Sequence, residues 1–176
     1  MDGPELVSGL SIATSPAMSS FLSDNEIDAI LRLLAAAAAG MIIGVNRDMW
    51  GKPTGVRTLG LVSLGAALVA LATTTHPLIA GHPDALSRVV QGVIQGVLTG
   101  IGFLGAGVVM RDPKAMEVHG LTTAATVWVT AALGVACALA SWHLVAAGLV
   151  IALILLVIVR PLEHLIDKKK PNDWRD

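Results

Sequence analysis

Hydrophobic residues fall in five long runs along the chain, and most charged residues lie between or beyond these runs. The runs cover residues 27–45, 56–75, 89–110, 120–140 and 142–159. Each run has about the 17–25 residues that a helix needs to cross the hydrocarbon core of a bilayer. Because only Ser141 separates the last two runs, they are predicted to form an antiparallel hairpin. The pattern predicts an all-α membrane bundle of about five transmembrane helices.

The composition excludes an ordinary soluble domain. Hydrophobic residues make up 54% of the 176 residues, charged residues make up 14%, and the mean hydropathy is +0.72. Soluble domains carry roughly 25% charged residues. A cleavable secretory signal begins with a basic segment. The first 26 residues contain no Lys or Arg, so they are not predicted to be such a signal.

Three segments follow from this pattern. We predict a flexible polar tail over residues 1–26 and a transmembrane domain over residues 27–160. Proline cannot continue the hydrogen-bond ladder of a helix, so the fifth helix is predicted to end at Arg160-Pro161. The remaining residues, 161–176, are predicted to form a short amphipathic basic tail on the cytoplasmic side.

Basic residues are concentrated on one side of the predicted bundle. The side that follows the first, third and fifth runs carries Arg47, Lys52, Arg57, Arg111, Lys114, Arg160, Lys168, Lys169, Lys170 and Arg175. The other side carries only Arg88 and Arg32, whose side chain could extend to the nearby interface. Lysines and arginines in short loops resist translocation. We therefore predict an N-terminus outside the membrane and a cytoplasmic C-terminus.

The third run combines a glycine stripe with a polar stripe. Both repeat every four residues: Gly92, Gly96 and Gly100, and Gln91, Gln95 and Thr99. Small residues allow close helix packing in lipid, so this helix is expected at the centre of the bundle or at a dimer interface. Amides that face hydrocarbon are costly. The polar stripe is therefore expected either to hydrogen-bond to the threonines of the fourth run or to line a path for a solute.

The third run ends in a glycine-rich segment. Residues 100–107 contain four glycines, each costing about 1 kcal/mol relative to alanine in a helix, so a broken helix or very close packing is expected there.

No Asp or Glu lies well inside a run, which argues against a proton- or cation-coupled carrier. The chain has no GxSxG, Walker A or HExxH motif and only one cysteine. We predict no enzymatic activity, no cofactor, no metal site and no nucleic-acid binding.

Several motifs, in order, resemble the MgtC/SapB family of bacterial membrane proteins. They are GVNRD at 44–48, GKPTGVRT at 51–58, LGAA at 64–67, RVVQG at 88–92, GIGFLGAG at 100–107 and VHGLTTAA at 118–125, followed by Trp128. The resemblance covers residues 31–162. Two positions depart from it: Asn46, where the family often has Glu, and Leu59, where it often has Asn or His. The chain resembles a short member without the C-terminal soluble ACT-like domain of some relatives.

The resemblance implies a multi-pass protein of the bacterial inner membrane. It also implies a role in virulence, in adaptation to magnesium limitation and in survival inside macrophages, through interaction with the F-type ATP synthase rather than through magnesium transport. The small-residue faces favour a regulator that binds a membrane partner and forms a homodimer or other small oligomer. A channel or carrier for an ion or small solute is the alternative hypothesis, and a dimeric scaffold is a third.

The candidate functional residues come from these motifs and from the polar stripe. They are Asn46, Arg47, Asp48, Arg57, Thr58, Gln91, Gln95, Thr99, Gly100, Gly102, Gly105, Gly107, Arg111, Gly120, Thr122, Thr123 and Trp128. Asp48 is expected to pair with Arg47 or Arg57 and so to fix how the first two helices meet. Surface pairs contribute only about 0–1 kcal/mol, so solvated charges that act only as topology signals are the alternative.

Overall fold

The computed structural model describes residues 24–74, 83–112 and 117–167. These segments form five helices and one short β-hairpin. In chain order the elements are α1 (Asp24–Met49), α2 (Val56–Thr74), α3 (Pro83–Val108), β1 (Met110–Asp112), β2 (Glu117–His119), α4 (Leu121–Leu139) and α5 (Trp142–Asp167). Helices α1 to α4 are long and apolar enough to cross a bilayer, and α5 begins with an apolar stretch over Trp142–Ile158. The predicted helical membrane bundle is confirmed.

Two helix boundaries differ from the sequence prediction. Helix α1 begins at Asp24, and the residues before it lie outside the described ones. Helix α5 does not end at Pro161 but continues to Asp167. A proline within a helix removes its own N–H donor and crowds the carbonyl one turn earlier, but the residues after it keep their N–H groups and can continue the helix.

The β-hairpin adds a small antiparallel element to the all-α prediction. It joins α3 to α4, with Met110 opposite His119 and Asp112 opposite Glu117. Its strands have three residues each, so it forms a short connection between the two helices. The predicted helical hairpin at Ser141 is also present, since only Ala140 and Ser141 separate α4 from α5.

Helix α4 lies at the centre of the bundle, and α3 lies at its edge. In an apolar stretch of 18 residues from each helix, 56% of the α4 residues are buried but only 6% of the α3 residues. The expectation that the third helix is central to the bundle is therefore wrong for the single chain. Glycine spacing marks a surface that can pack closely, but it does not determine which neighbour packs there.

Close helix contacts join α1, α2 and α4 at Ser63. A Cβ atom on Gly40 of α1 would overlap the carbonyl of Leu59 and lie 2.8 Å from Cβ of Ser63. On the other side, a Cβ atom on Gly134 of α4 would overlap the Ser63 carbonyl. Near the end of α1, a Cβ atom on Gly44 would lie 2.5 Å from Cα of Val56. Glycine backbone surfaces therefore set the spacing of these three helices.

Helix α3 is continuous through its glycine-rich end. It runs unbroken from Pro83 to Val108, so the broken-helix alternative is wrong. The close-packing alternative holds at Gly105, where an added Cβ atom would meet Ala124 of α4 at 3.5 Å. At Gly100, Gly102 and Gly107 an added Cβ atom would meet no described atom within 4 Å.

The predicted orientation can be tested by labelling single cysteines in spheroplasts. The background is Cys137→Ala, which removes the one native cysteine. A cysteine at Lys52, in the α1–α2 loop, is expected to resist a membrane-impermeant maleimide until the inner membrane is permeabilised. A cysteine at Ser141, at the opposite end of the bundle, is expected to react in spheroplasts without permeabilisation. The reverse pattern would contradict the orientation derived from the basic residues.

Candidate functional site at the basic end of the bundle

Motif residues from distant parts of the sequence meet at one end of the bundle. We call it the basic end: the C-terminus of α1, the loop 50–55, the N-terminus of α2, the C-terminus of α3, the β-hairpin and the N-terminus of α4. Asn46 is half-buried there, and Arg57 and Thr58 are exposed. Arg111 lies in β1, and its side chain falls outside what the structure describes.

Arg47 is a buried charge at the basic end. Its side chain is 4% exposed, and its Nη2 atom donates hydrogen bonds to Oγ1 of Thr123 and, at 3.4 Å, to the carbonyl oxygen of Pro53. Thr123 is itself buried in the first turn of α4. A buried charge is costly without hydrogen-bond partners. These two bonds provide such partners, and they link α1 to the following loop and to α4.

Asp48 organises the start of α2. Its Oδ2 atom accepts a hydrogen bond from the backbone N–H of Val56 at 3.0 Å. The first N–H groups of a helix have no acceptor within the helix and carry the positive end of its dipole, so they attract a carboxylate. The predicted ion pair of Asp48 with Arg47 or Arg57 is wrong, because in the described segments neither arginine forms an ion pair with it. Next to it, Gly55 has no room for a Cβ atom beside the Asp48 carboxylate.

Gly120 holds the end of α3 against the start of α4. Its φ of 92° lies in the left-handed region, which is accessible mainly to glycine. A Cβ atom here would also overlap the carbonyl of Val108. The Gly120 carbonyl accepts a hydrogen bond from the N–H of Ala124 at 2.9 Å, which starts α4. The glycine therefore permits both the turn and the contact.

Arg32 has a structural role that the sequence analysis missed. Its Nη1 atom donates to three carbonyl oxygens at the C-terminus of α4: those of Cys137 at 3.0 Å and of Ala138 and Ala140 at 3.4 Å. Its Nε atom lies 2.7 Å from Oδ2 of Asp28, and its guanidinium carbon lies 5.2 Å from the ring centroid of Trp142. A cation is favourable at a helix C-terminus and over an indole ring. The feature of the sequence that could have indicated this role is the position of Arg32 inside an apolar run.

The polar stripe of α3 lies on an exposed face of the helix, where Gln91 and Gln95 line an open depression of about 580 Å³. Gln91, Gln95 and Thr99 are all exposed, and within the described segments neither amide has a hydrogen-bond partner. The expected contact with the threonines of α4 is wrong. Besides Thr123, which bonds to Arg47, the hydroxyls of Thr126 and Thr130 donate to backbone carbonyls one turn earlier in α4, at 2.6 and 2.8 Å.

The other candidate residues lie in separate places. Arg57, Thr58 and Gly100 line a groove of about 730 Å³ between α2 and α3. Thr122 lines a second cavity, of about 330 Å³, between α1, α4 and α5. Trp128 is 46% exposed on the outer surface of α4. The candidate residues thus form a hydrogen-bonded cluster at the basic end, a groove and an outward face of α3, rather than one site.

Comparison with known proteins identifies the family. Residues 33–165 match the MgtC family. The chain is 41% identical to SrpB of Synechococcus elongatus over 64% of its length, 40% identical to MgtC of Salmonella typhimurium over 74%, and 36% identical to YhiD of Escherichia coli over 76%. The matched regions cover 64%, 52% and 61% of those relatives, so the chain spans between half and two-thirds of their length. No solved structure matches the chain. The chain belongs to the MgtC family and is a multi-pass protein of the bacterial inner membrane.

Proposed function

We propose that this protein is a non-enzymatic regulator that docks a membrane partner through the outer face of α3. This docking face consists of Gln91, Gln95 and Thr99. Within the described segments, its amides are exposed and unpaired on a helix that is long and apolar enough to lie in the bilayer. That observation carries the proposal, because a primary amide left in hydrocarbon costs several kcal/mol and is stabilised by a hydrogen-bonding partner helix.

The family suggests which physiological process this docking serves. We extend the proposal to adaptation to magnesium limitation and to intracellular survival and virulence, with the F-type ATP synthase as a candidate partner complex. These roles rest on what membership of the MgtC family implies for a chain that covers 52% of the Salmonella relative. A second copy of the chain is the other candidate partner for the same face, since two docking faces related by a two-fold axis would offer each other amide donors and acceptors.

A bulky substitution on the docking face tests the proposal. In a deletion strain of the source bacterium, Gln95→Trp is expected to abolish rescue of growth at low magnesium and co-isolation of the membrane partner complex, because an indole would hold the partner helix away. The matched control is Val150→Trp, since Val150 is 53% exposed on α5 and lies outside the docking face. Equal rescue and co-isolation by both variants, at equal membrane abundance, would contradict the proposal.

A disulfide trap separates the two candidate partners. In the Cys137→Ala background, Gln95→Cys is expected to give a cross-linked dimer under mild oxidation if a second copy covers the docking face. If a different protein covers it, the monomer will persist and the cysteine will be protected from thiol reagents only in native membranes. A monomer whose cysteine reacts equally in membranes and in detergent would argue against both partners.

Transport of an ion or small solute is the second candidate function. It is supported by the similarity to YhiD of Escherichia coli strain K12, which is provisionally named as a magnesium transporter. The polar stripe that suggested a solute path is exposed, and no other described helix encloses it, so a path along it would require a second copy to enclose it. Flux of Mg²⁺ or another solute into proteoliposomes, above that into empty vesicles, would favour this candidate over the regulator.

A further inference from the structure

We infer that the groove between α2 and α3 binds one anionic phospholipid of the cytoplasmic leaflet, with the headgroup at Arg57 and an acyl chain along the groove. The groove has a volume of about 730 Å³, within the range of roughly 300–1,000 Å³ for small-ligand sites in proteins. This inference does not depend on the docking face of α3, because Gln91, Gln95 and Thr99 do not line the groove.

The length and direction of the groove match one leaflet. On α2 its lining extends from Arg57 at the basic end to Val69, which corresponds to about 18 Å at the helical rise of 1.5 Å per residue. Half of a hydrocarbon core is about 15 Å thick. On α3 the lining extends from Leu104 back to Gly96, so both walls run from the basic end towards the middle of the membrane.

The walls of the groove are open because glycines line both of them. A Cβ atom on Gly65 of α2, or on Gly96 or Gly100 of α3, would meet no described atom within 4 Å. Most of the remaining lining is aliphatic, including Leu61 and Val97. An acyl chain fits such a surface, since it needs no hydrogen bond and can pack along an apolar groove at little cost in free energy.

The mouth of the groove carries a positive charge and a hydroxyl group. Arg57 and Thr58 both line it, and in the described segments Arg57 takes part in no ion pair. Guanidinium groups bind phosphate strongly, often through two hydrogen bonds. The nearby Asp48 carboxylate belongs to α1 and is held by the N–H of Val56, outside the lining of the groove. In the orientation predicted from the basic residues, the mouth faces the leaflet that carries anionic lipids.

Native mass spectrometry of the full chain in detergent tests the headgroup contact. With equimolar phosphatidylglycerol and phosphatidylcholine of identical acyl chains, the wild type is expected to retain phosphatidylglycerol about fivefold more often, the effect of one basic residue at a lipid surface. Arg57→Gln is expected to remove this preference. Lys52→Gln, which changes an exposed lysine in the α1–α2 loop, should leave it unchanged. An unchanged preference in Arg57→Gln would overturn the headgroup assignment.

Filling the groove tests the acyl-chain contact separately. Gly65→Leu and Gly100→Leu are each expected to reduce the number of retained lipids of both types at least threefold. Ala147→Leu, which enlarges an exposed residue of α5, should not reduce it. Unchanged lipid retention in both glycine variants would overturn the site. Loss of a dimer in these variants, with lipid retention intact, would assign the groove to a second copy instead.

Inorganic phosphate separates a lipid site from a simple anion site. At millimolar concentration it is expected to compete weakly, because it cannot occupy the apolar part of the groove. Complete displacement of phosphatidylglycerol by phosphate alone would show that the groove contributes no affinity, and would overturn the assignment to a phospholipid.

Discussion

Gly134→Ala is expected to destabilise the bundle by about 2 kcal/mol, although it adds only one methyl group. The new Cβ atom would overlap the carbonyl of Ser63 on α2 and lie 2.9 Å from its carbonyl carbon. Helix α2 cannot move away freely, because Gly40 of α1 contacts the other side of the same residue. Overpacking costs about 1–3 kcal/mol and belongs at the upper end here, because the obstructing atoms are backbone. The higher helix propensity of alanine returns up to about 1 kcal/mol.

The measurement is reversible unfolding in mixed micelles with increasing mole fraction of SDS, followed by circular dichroism. Gly102→Ala is the matched control, because an added Cβ atom there meets no described atom within 4 Å. This control is expected to have an unchanged free energy of unfolding or one higher by about 0.5–1 kcal/mol, since alanine is the better helix former. If the two variants were equally stable, α2 and α4 would lie farther apart than they do in this structure.

The sequence predicts the membrane helices well because their physical signal is local. A helix must have about 20 apolar residues to cross a bilayer, and the charges of the loops interrupt these runs. The five helices, the short connection at Ser141 and the family motifs could therefore all be derived from the chain alone. The end of α5 could not, since Pro161 weakens a helix without always terminating it.

The position of each helix in the bundle was harder to predict. In a bilayer both the lipid-facing and the buried surfaces are apolar, so hydrophobic periodicity does not mark the inner face as it does in a soluble protein. The glycine stripe of α3 therefore suggested a central helix, while the small residues of α4 at Thr130, Gly134 and Ala138 have the same spacing. The structure buries all three residues of the second set and exposes all three of the first.

Arg47 and Arg57, the arginines of the first two motifs, show that the sequence also does not determine which residues meet at the candidate site. Arg47 is in helical phase with Gly40 and Ile43, the buried face of α1, and this phase could have predicted its burial. Arg57 lies on the exposed side of α2, towards α3. What the sequence could not reveal is that the partner of Arg47 is Thr123, which lies 76 residues away. Such pairing depends on which helix ends meet, and α1 and α4 are not consecutive in the chain.

Arg47→Gln is expected to destabilise the protein more than any other single change of charge at the basic end. The variant loses the hydrogen bonds to Thr123 and to the carbonyl of Pro53 and leaves a poorly filled space where Arg47 was 4% exposed. Hydrogen bonds to charged groups contribute about 1.5–3 kcal/mol each. We expect a loss of about 3 kcal/mol in the SDS unfolding assay. Lys52→Gln removes an exposed positive charge from the adjacent loop and is expected to change the stability by less than about 0.5 kcal/mol.

A double-mutant cycle tests whether the connection to α4 accounts for this effect. Thr123→Val keeps the shape of the side chain but removes the acceptor for Nη2 of Arg47. If the hydrogen bond joins α1 to α4, the coupling free energy between Arg47→Gln and Thr123→Val should be about 2 kcal/mol. A coupling near zero would show that the two substitutions act independently. The stabilising effect of Arg47 would then come from its hydrogen bond to the carbonyl of Pro53 and from its buried packing, rather than from a link between α1 and α4.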